Sequence, residues 1–395
     1  MSVDIDPQDP HSLRSHLDTI LEFYHPDCLD VENGGYVAQF DERTGTIYDS
    51  RSKHLVAVCR FIRNYSIAHR HGTRDWSRSP VEHGLEFLRS VLWDDDHEGF
   101  HWIATERQPS DSRRLCYGHA FGLLALARGT DLSIRTAMDL LPSVARVIEQ
   151  RFWESNHGLY RSAFDSQWSS PSAYRGQNAN MHMCEALIAV YEATGERRYL
   201  ERALTVATGV TIELAEKTDG MVWEHYTEDW EPDFEYNRDD PDNTFRPWGF
   251  QPGHQIEWAK LLAILSRYSD EPWLCDRAIE LFEAAVDHGW DDRRGGLYYS
   301  VDLNCEPVVT DKYSWEVAEA IGATTALYER TENPEYLEWY KRFWSYAKST
   351  LINPNHQNWY TKVTVENDPV PTSSGIAVEP GYHPIGACFE AIRSL

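Results

Sequence analysis

The stretch Asn156-His157-Gly158-Leu159-Tyr160 reads as a tight polar turn that opens into an aromatic, extended segment. The same pattern recurs at Glu32-Asn33-Gly34-Gly35-Tyr36, Asp96-His97-Glu98-Gly99-Phe100, Thr218-Asp219-Gly220-Met221-Val222, Arg294-Gly295-Gly296-Leu297-Tyr298 and Asn355-His356-Gln357-Asn358-Trp359. Gly and Asn accept the positive φ that a tight hairpin turn demands. The intervals are roughly 60 residues, with one longer gap between Gly220 and Gly296. A period of that size calls for a repeated supersecondary unit.

Each turn is flanked by two helical stretches. Before the turns come amphipathic segments at Leu13–Tyr24, Val81–Trp93, Leu141–Trp153, Tyr199–Lys217, Trp273–Trp290 and Tyr336–Leu351. After them come more apolar ones at Lys53–His69, Tyr117–Arg128, Asn180–Thr194, His254–Tyr268, Ser314–Arg330 and Pro384–Ser394. Apolar residues fall at i, i+3, i+4 and i+7, as in Ala278, Ile279, Leu281, Phe282 and Ala285, which marks one buried helical face. The second set carries small residues such as Ala318, Ala320 and Ala323, suited to an inner ring covered on both sides. The expected fold is all-α: six helical hairpins joined by short β-hairpins and closed into an (α/α)6 barrel, one domain over residues 1–395. An open solenoid would show polar capping repeats, whereas the last segment is apolar and needs partners.

Bulk properties narrow the function. With 37 basic and 63 acidic residues the net charge is −26, which repels nucleic acid and anionic membrane surfaces. No apolar run of about 18 residues is present to span a membrane. The N-terminal MSVDIDPQDPHSLRSHL has no apolar core of a secretory leader, and the seven cysteines are scattered without a CxxC. A reducing cytoplasm is the expected compartment, with a small molecule as the partner; assembly into a homo-oligomer is compatible with the sequence. Aromatic residues make up 13% of the chain, and their faces serve core packing and the C–H faces of a pyranose equally well.

Polar groups recur at or near the start of each inner segment: Arg51 and His54; Tyr117 and His119; Asn178, Asn180 and His182; Arg246, His254 and Glu257; Lys312, Glu316 and Glu319; and His383. Repeat-equivalent positions direct such groups to one mouth of the barrel, where helix N-termini favour developing anionic oxygen. Taken singly, each has a structural reading. His254 and Glu257, at i and i+3, pair by default, and the same spacing in Glu316 and Glu319 also suits metal ligands on facing helices. Tyr117 and His119 fit aromatic lining better than catalysis. His69 and His71 sit in a polar loop, and His97, His157 and His356 belong to the turns.

Longer stretches carry a resemblance. Arg51-Ser52-Lys53-His54, Tyr117-Gly118-His119-Ala120-Phe121, Asn178-Ala179-Asn180-Met181-His182, the run from Arg246 through Pro252-Gly253-His254-Gln255-Ile256-Glu257-Trp258, Lys312-Tyr313-Ser314-Trp315-Glu316-Val317-Ala318-Glu319, and Tyr382-His383 resemble the N-acylglucosamine 2-epimerase family over nearly the whole length. The resemblance is to its aldose–ketose isomerase branch of mannose and sulfoquinovose isomerases, and it implies an (α/α)6 barrel without metal or redox cofactor. His54 three places after Arg51, and Trp315 followed by Glu316, depart from the epimerases of the family and favour isomerisation.

The resemblance implies a division of labour. His254, oriented by Glu257, assists ring opening and shuttles protons on oxygen; His383 moves the proton between C2 and C1 through a cis-enediol; Arg51 holds O1 or O2 as charge builds. His182 and Asn178 fix hydroxyls, and Arg246, Trp315, Glu316, Glu319, His54, Tyr117 and His119 line the pocket. Histidine, with an ordinary pKa of roughly 6.5, suits both proton transfers. The substrate expected is mannose. The alternatives are a sugar 2-epimerase of the same family, an inverting glycoside hydrolase using two of Glu257, Glu316, Glu319 and Glu379, and a non-catalytic sugar-binding module.

Overall fold

The structure, a computed structural model, describes residues 5–243, 245–370, 372 and 374–395. Among these it has twelve α-helices: α1 (Pro10–Glu22), α2 (Leu55–His71), α3 (Ser79–Phe87), α4 (Cys116–Asp131), α5 (Arg135–Arg151), α6 (Gln177–Thr194), α7 (Arg197–Thr208), α8 (Pro252–Leu265), α9 (Trp273–Gly289), α10 (Ser314–Thr331), α11 (Glu335–Tyr346) and α12 (Tyr382–Ser394). The helices α2, α4, α6, α8, α10 and α12 form the inner ring, each touching the next, and α12 also reaches α2 and so closes it. The remaining six lie outside. The sequence pattern follows from this layering. Residues of α8 are buried all round except Lys260, because a second layer covers their outer side. In α5, burial is confined to a stripe that includes Ala137, Leu140, Leu141, Val144, Val147 and Ile148, because its far side meets water.

All six predicted turns contain residues at positive φ: Gly34 and Gly35, Glu98, Gly158, Asp219 and Gly220, Gly295 and Gly296, and Gln357. Five sit inside an antiparallel pairing, such as Trp93–Asp94 with Gly99–Phe100 and Trp153–Glu154 with Leu159–Tyr160. The turn at Asp219 departs from the expected hairpin. It ends a 3₁₀ turn, Ala215–Thr218, and the strand beyond it, His225–Tyr226, pairs instead with Arg175–Gly176 of the preceding unit.

That inter-unit pairing is the rule at the rim. Ser52–His54 pairs with Ile103–Thr105, Arg114–Leu115 with Ala163–Phe164, and Lys312–Tyr313 with Lys362–Val363. In each case the strand that leads into an inner helix is held by the next unit's hairpin. The N-termini of the inner helices are thereby fixed around one mouth.

Candidate active site

Six inner helices bring their first two turns to this mouth. On α8, His254, Glu257 and Lys260 follow at i, i+3 and i+6 and share a face. From α10 come Trp315 and Glu319, from α6 His182 and Glu185, from α4 Tyr117 and Phe121, and from α2 Arg60. His383 opens α12, and Glu379 lies in the segment just before it.

The two histidines of α8 and α12 flank one indole. The Trp315 ring lies 5.0 Å from the His254 ring and 5.8 Å from the His383 ring. Each imidazole has a carboxylate on Nδ1. His383 Nδ1–H donates to Glu319 Oε1 at 2.7 Å, and its Nε2 is 3.5 Å from Glu379 Oε1. His254 Nδ1–H donates to Glu224 Oε1 at 2.9 Å. Glu224 is fixed in turn by the Gln177 amide at 3.0 and 3.1 Å, and the Trp258 indole N–H donates to Gln177 Oε1 at 2.8 Å.

Burial alone would depress both imidazoles, but the carboxylates win. Glu379 and Glu319 push His383 up to about 9, and Glu224 raises His254 above its ordinary value. Below pH 9 the free protein therefore holds His383 as an imidazolium. Behind them lies a compensated knot of buried charge. Lys260 hydrogen-bonds Glu319 Oε2, and Tyr382 O–H donates to Glu185 Oε1 at 2.6 Å. Burial would raise Glu319, but Lys260 and His383 hold it below the usual carboxylate range. Glu257 goes the other way: burial and the nearby Glu319 charge raise it, and its Oε2 has no hydrogen-bond partner among the described residues. Buried ions persist only when paired in this fashion.

Arg60 supplies a buried cation that pairs with Glu379, the second carboxylate beside His383. Its Nη1 hydrogen-bonds Glu379 and, at 2.9 Å, the Val378 carbonyl; its Nη2 is 3.4 Å from Tyr117 Oη. The guanidinium lies 4.6 Å from the centres of the Phe121 and Tyr382 rings. Tyr117 stands edge-on to His182 at 5.1 Å, and His182 Nδ1 is 3.2 Å from Glu185 and 3.8 Å from Glu257. Asn178, half-buried in the first turn of α6, leaves Oδ1 unpartnered. Arg246 lies 4.0 Å over the Tyr174 ring and reaches Tyr236 Oη, and the Tyr174 hydroxyl is 3.0 Å from His225 Nδ1.

Several sequence expectations need correction. Arg51 is 68% exposed and pairs with Glu106 at 3.1 Å, because it precedes the rim strand and points to water; Arg60, two turns into α2, occupies the interior. Glu257 does not orient His254, since Glu224 takes that role from the preceding segment. His119 is fully buried with both nitrogens used, accepting from Phe100 N–H at 3.0 Å and donating to the Leu115 carbonyl at 2.8 Å, and burial lowers it to about 3. It packs on Phe152 and Trp168, not on the mouth. His54 caps α2 by accepting from Val56 N–H at 3.2 Å and packs edge-on against Trp102 at 4.2 Å. Glu316 is fully buried with both oxygens lacking a side-chain partner, wedged against Gly253, and burial pushes it well above the carboxylate range. It packs against Gly253 at the start of α8. Glu319 positions His383 through the hydrogen bond above.

Two trios could hold a cation: Glu257, Glu319 and His383, and His182, Glu185 and Glu257, each with ligand atoms within 4.8 Å of one another. In the first, Lys260 and His383 already occupy the Glu319 oxygens, so the ammonium does the work of a bound ion.

Known proteins resemble this chain over nearly its whole length. The family model described as N-acylglucosamine 2-epimerase (GlcNAc 2-epimerase) matches residues 34–387. A D-mannose isomerase of Marinomonas mediterranea is 37% identical over 97% of each chain, and one of Thermobifida fusca is 36% identical over 86% of this chain and 84% of its own. A crystal structure of a D-mannose isomerase superposes with a TM-score of 0.93 at 36% identity, covering 97% of both chains. A cellobiose 2-epimerase from Bacillus thermoamylovorans, at 21% identity and a TM-score of 0.85, shares the fold.

Proposed function

The chain belongs to the N-acylglucosamine 2-epimerase family, and we propose that it is an aldose–ketose isomerase that interconverts D-mannose and D-fructose, a single catalytic domain over residues 1–395 working on a free monosaccharide in the cytoplasm. The observation that carries the reading is the pair of imidazoles about Trp315, each with its own carboxylate on Nδ1.

Isomerisation moves one proton from C2 to C1 and another from O2 to O1. The C2 proton becomes acidic only after ring opening exposes the C1 carbonyl. His254, with Glu224 behind it, assists ring opening and carries the oxygen proton. His383 takes the C2 proton on Nε2 and returns it to C1 on the same face of a cis-enediol. A base of pKa about 9 is well matched to a carbon acid, though only about one molecule in a hundred carries it deprotonated at pH 7. Arg60 opposes the negative charge on O1 and O2, with Tyr117 beside it. His182, Asn178 and Arg246 hold the remaining hydroxyls, and Trp315 and Trp102 cover apolar sugar faces.

Hydrolysis finds less support. Glu224, Glu319 and Glu379 are committed to histidine or cation partners, and Glu316 is sealed from water. No described helix is long and apolar enough to cross a membrane. The test is direct: mannose incubated with the protein in excess EDTA yields fructose. Absence of ketose, or activity lost in EDTA and restored by metal, contradicts the proposal.

A further inference from the structure

At the opposite end of the barrel, the C-terminal ends of α2, α4, α6 and α12 surround a cavity of about 450 Å³. We propose that this cavity is a second small-molecule site that takes a phosphate-bearing ligand of monosaccharide size, or phosphate itself.

The first argument is charge. The chain as a whole carries −26, yet Arg70, Arg128, Arg393 and His71 line this cavity together. Helix C-termini carry partial negative charge, which explains about one cation per helix end. Arg70 serves that purpose by donating to the Asp131 carbonyl. The grouping goes further, because Arg14 of α1 also lies close enough that it acts on His71 with the other three arginines. Against these stand two lining carboxylates. Arg128 pairs with Asp131 at 3.1 Å and with Glu192 at 3.2 Å, and Arg393 pairs with Glu192 at 3.1 Å. Among the described residues, Arg14 and Arg70 have no carboxylate partner and His71 makes no side-chain hydrogen bond. Burial and the arginines together lower His71. Three arginines against two carboxylates leave the lining with an excess cation, which favours an anion, and guanidinium forks match phosphate oxygens.

The second argument is shape. Tyr191 and Tyr268 stand edge-on at 5.3 Å, and Phe389 packs on His71 at 5.1 Å. These rings give apolar walls beside the cationic ones, as a phosphorylated sugar requires. The volume admits a hexose phosphate with room to spare.

Position adds a third argument. A void of about 40 Å³ shares Arg128, Glu192 and Arg393 with this cavity and is also lined by Glu185 and Lys260. Those two reach the active-site knot through His182 and Glu319. Through these shared side chains the far cavity borders the charges behind His383.

Calorimetric titration of the protein at low ionic strength tests this, with hexose 6-phosphate and inorganic phosphate in separate arms and mannose saturating. One ligand per chain is expected, with affinity reduced at least tenfold in Arg70→Gln and in Arg393→Gln while mannose turnover is unchanged. Arg70 is exposed and leaves only one carbonyl unpaired, so its variant folds whatever happens to the other. Equal affinity for both probes identifies the ion as the ligand, and a stronger hexose phosphate identifies the sugar ester. No binding of either at millimolar concentration, binding unchanged in both variants, or displacement by mannose overturns the proposal.

Discussion

His383→Ala is expected to lower kcat for mannose by about a thousandfold while KM stays within a factor of a few. The size follows from the role. In the proposed mechanism Nε2 of His383 carries the proton between C2 and C1, and among the described residues no other imidazole reaches both Glu319 and Glu379. The fold should survive the change, because Glu319 keeps Lys260 and Glu379 keeps Arg60 as partners. In the same proposal sugar binding rests on His182, Asn178, Arg246 and Arg60, which the substitution leaves in place. Steady-state rates of fructose formation, with thermal melting as the folding control, measure both halves. Turnover near the wild-type level would remove His383 from the chemistry.

Glu319→Gln should change both the size and the pH dependence of the rate. With Glu319 and Glu379 present, His383 holds its proton until about pH 9, so kcat/KM in the wild type rises with pH through neutrality and levels off near that value. Removing one of the two negative charges lowers the His383 pKa, and the rising limb moves toward acid. The plateau falls as well, by about ten- to a hundredfold, because the amide offers one acceptor where the carboxylate serves both His383 Nδ1–H and Lys260. A pH–rate profile that keeps its alkaline limb in the variant would show that Glu319 does not set the state of His383.

The ring of hairpins was legible because its determinants are local. Turn residues that tolerate positive φ and the 3.6-residue apolar rhythm recur with the unit, and helix ends agree with the observed ones to within a few residues for most segments. Outer helices α3, α7 and α11 run on through a π turn, at Leu88–Leu92, Gly209–Leu214 and Ala347–Leu351, so their apparent length in sequence exceeds their α-helical part. The site was legible only where its residues lie near a helix start. His254, Glu257, His182, Trp315, Glu319 and His383 meet there. Arg60 sits deeper in an apolar helix, and the more conspicuous Arg51 just precedes the rim strand and points to water. A signal existed: arginine at Arg60 and Arg63, in a segment otherwise buried, needs partners inside the ring. Glu224 was hidden for another reason. It precedes His254 by thirty residues, and the long excursion between them gives no periodicity that would bring the two together. Glu257, three residues away on the same helix, offered the simpler pairing.

In the proposed reaction one base on one face moves a proton between adjacent carbons. Mannose incubated with the protein in D₂O and followed by NMR reads this out. Fructose carrying deuterium at C1, in one of the two diastereotopic positions, is expected, because His383 exchanges with solvent and delivers to a single face. Deuterium at C2 of an aldose without ketose, label spread over both C1 positions, or no product at all would contradict it.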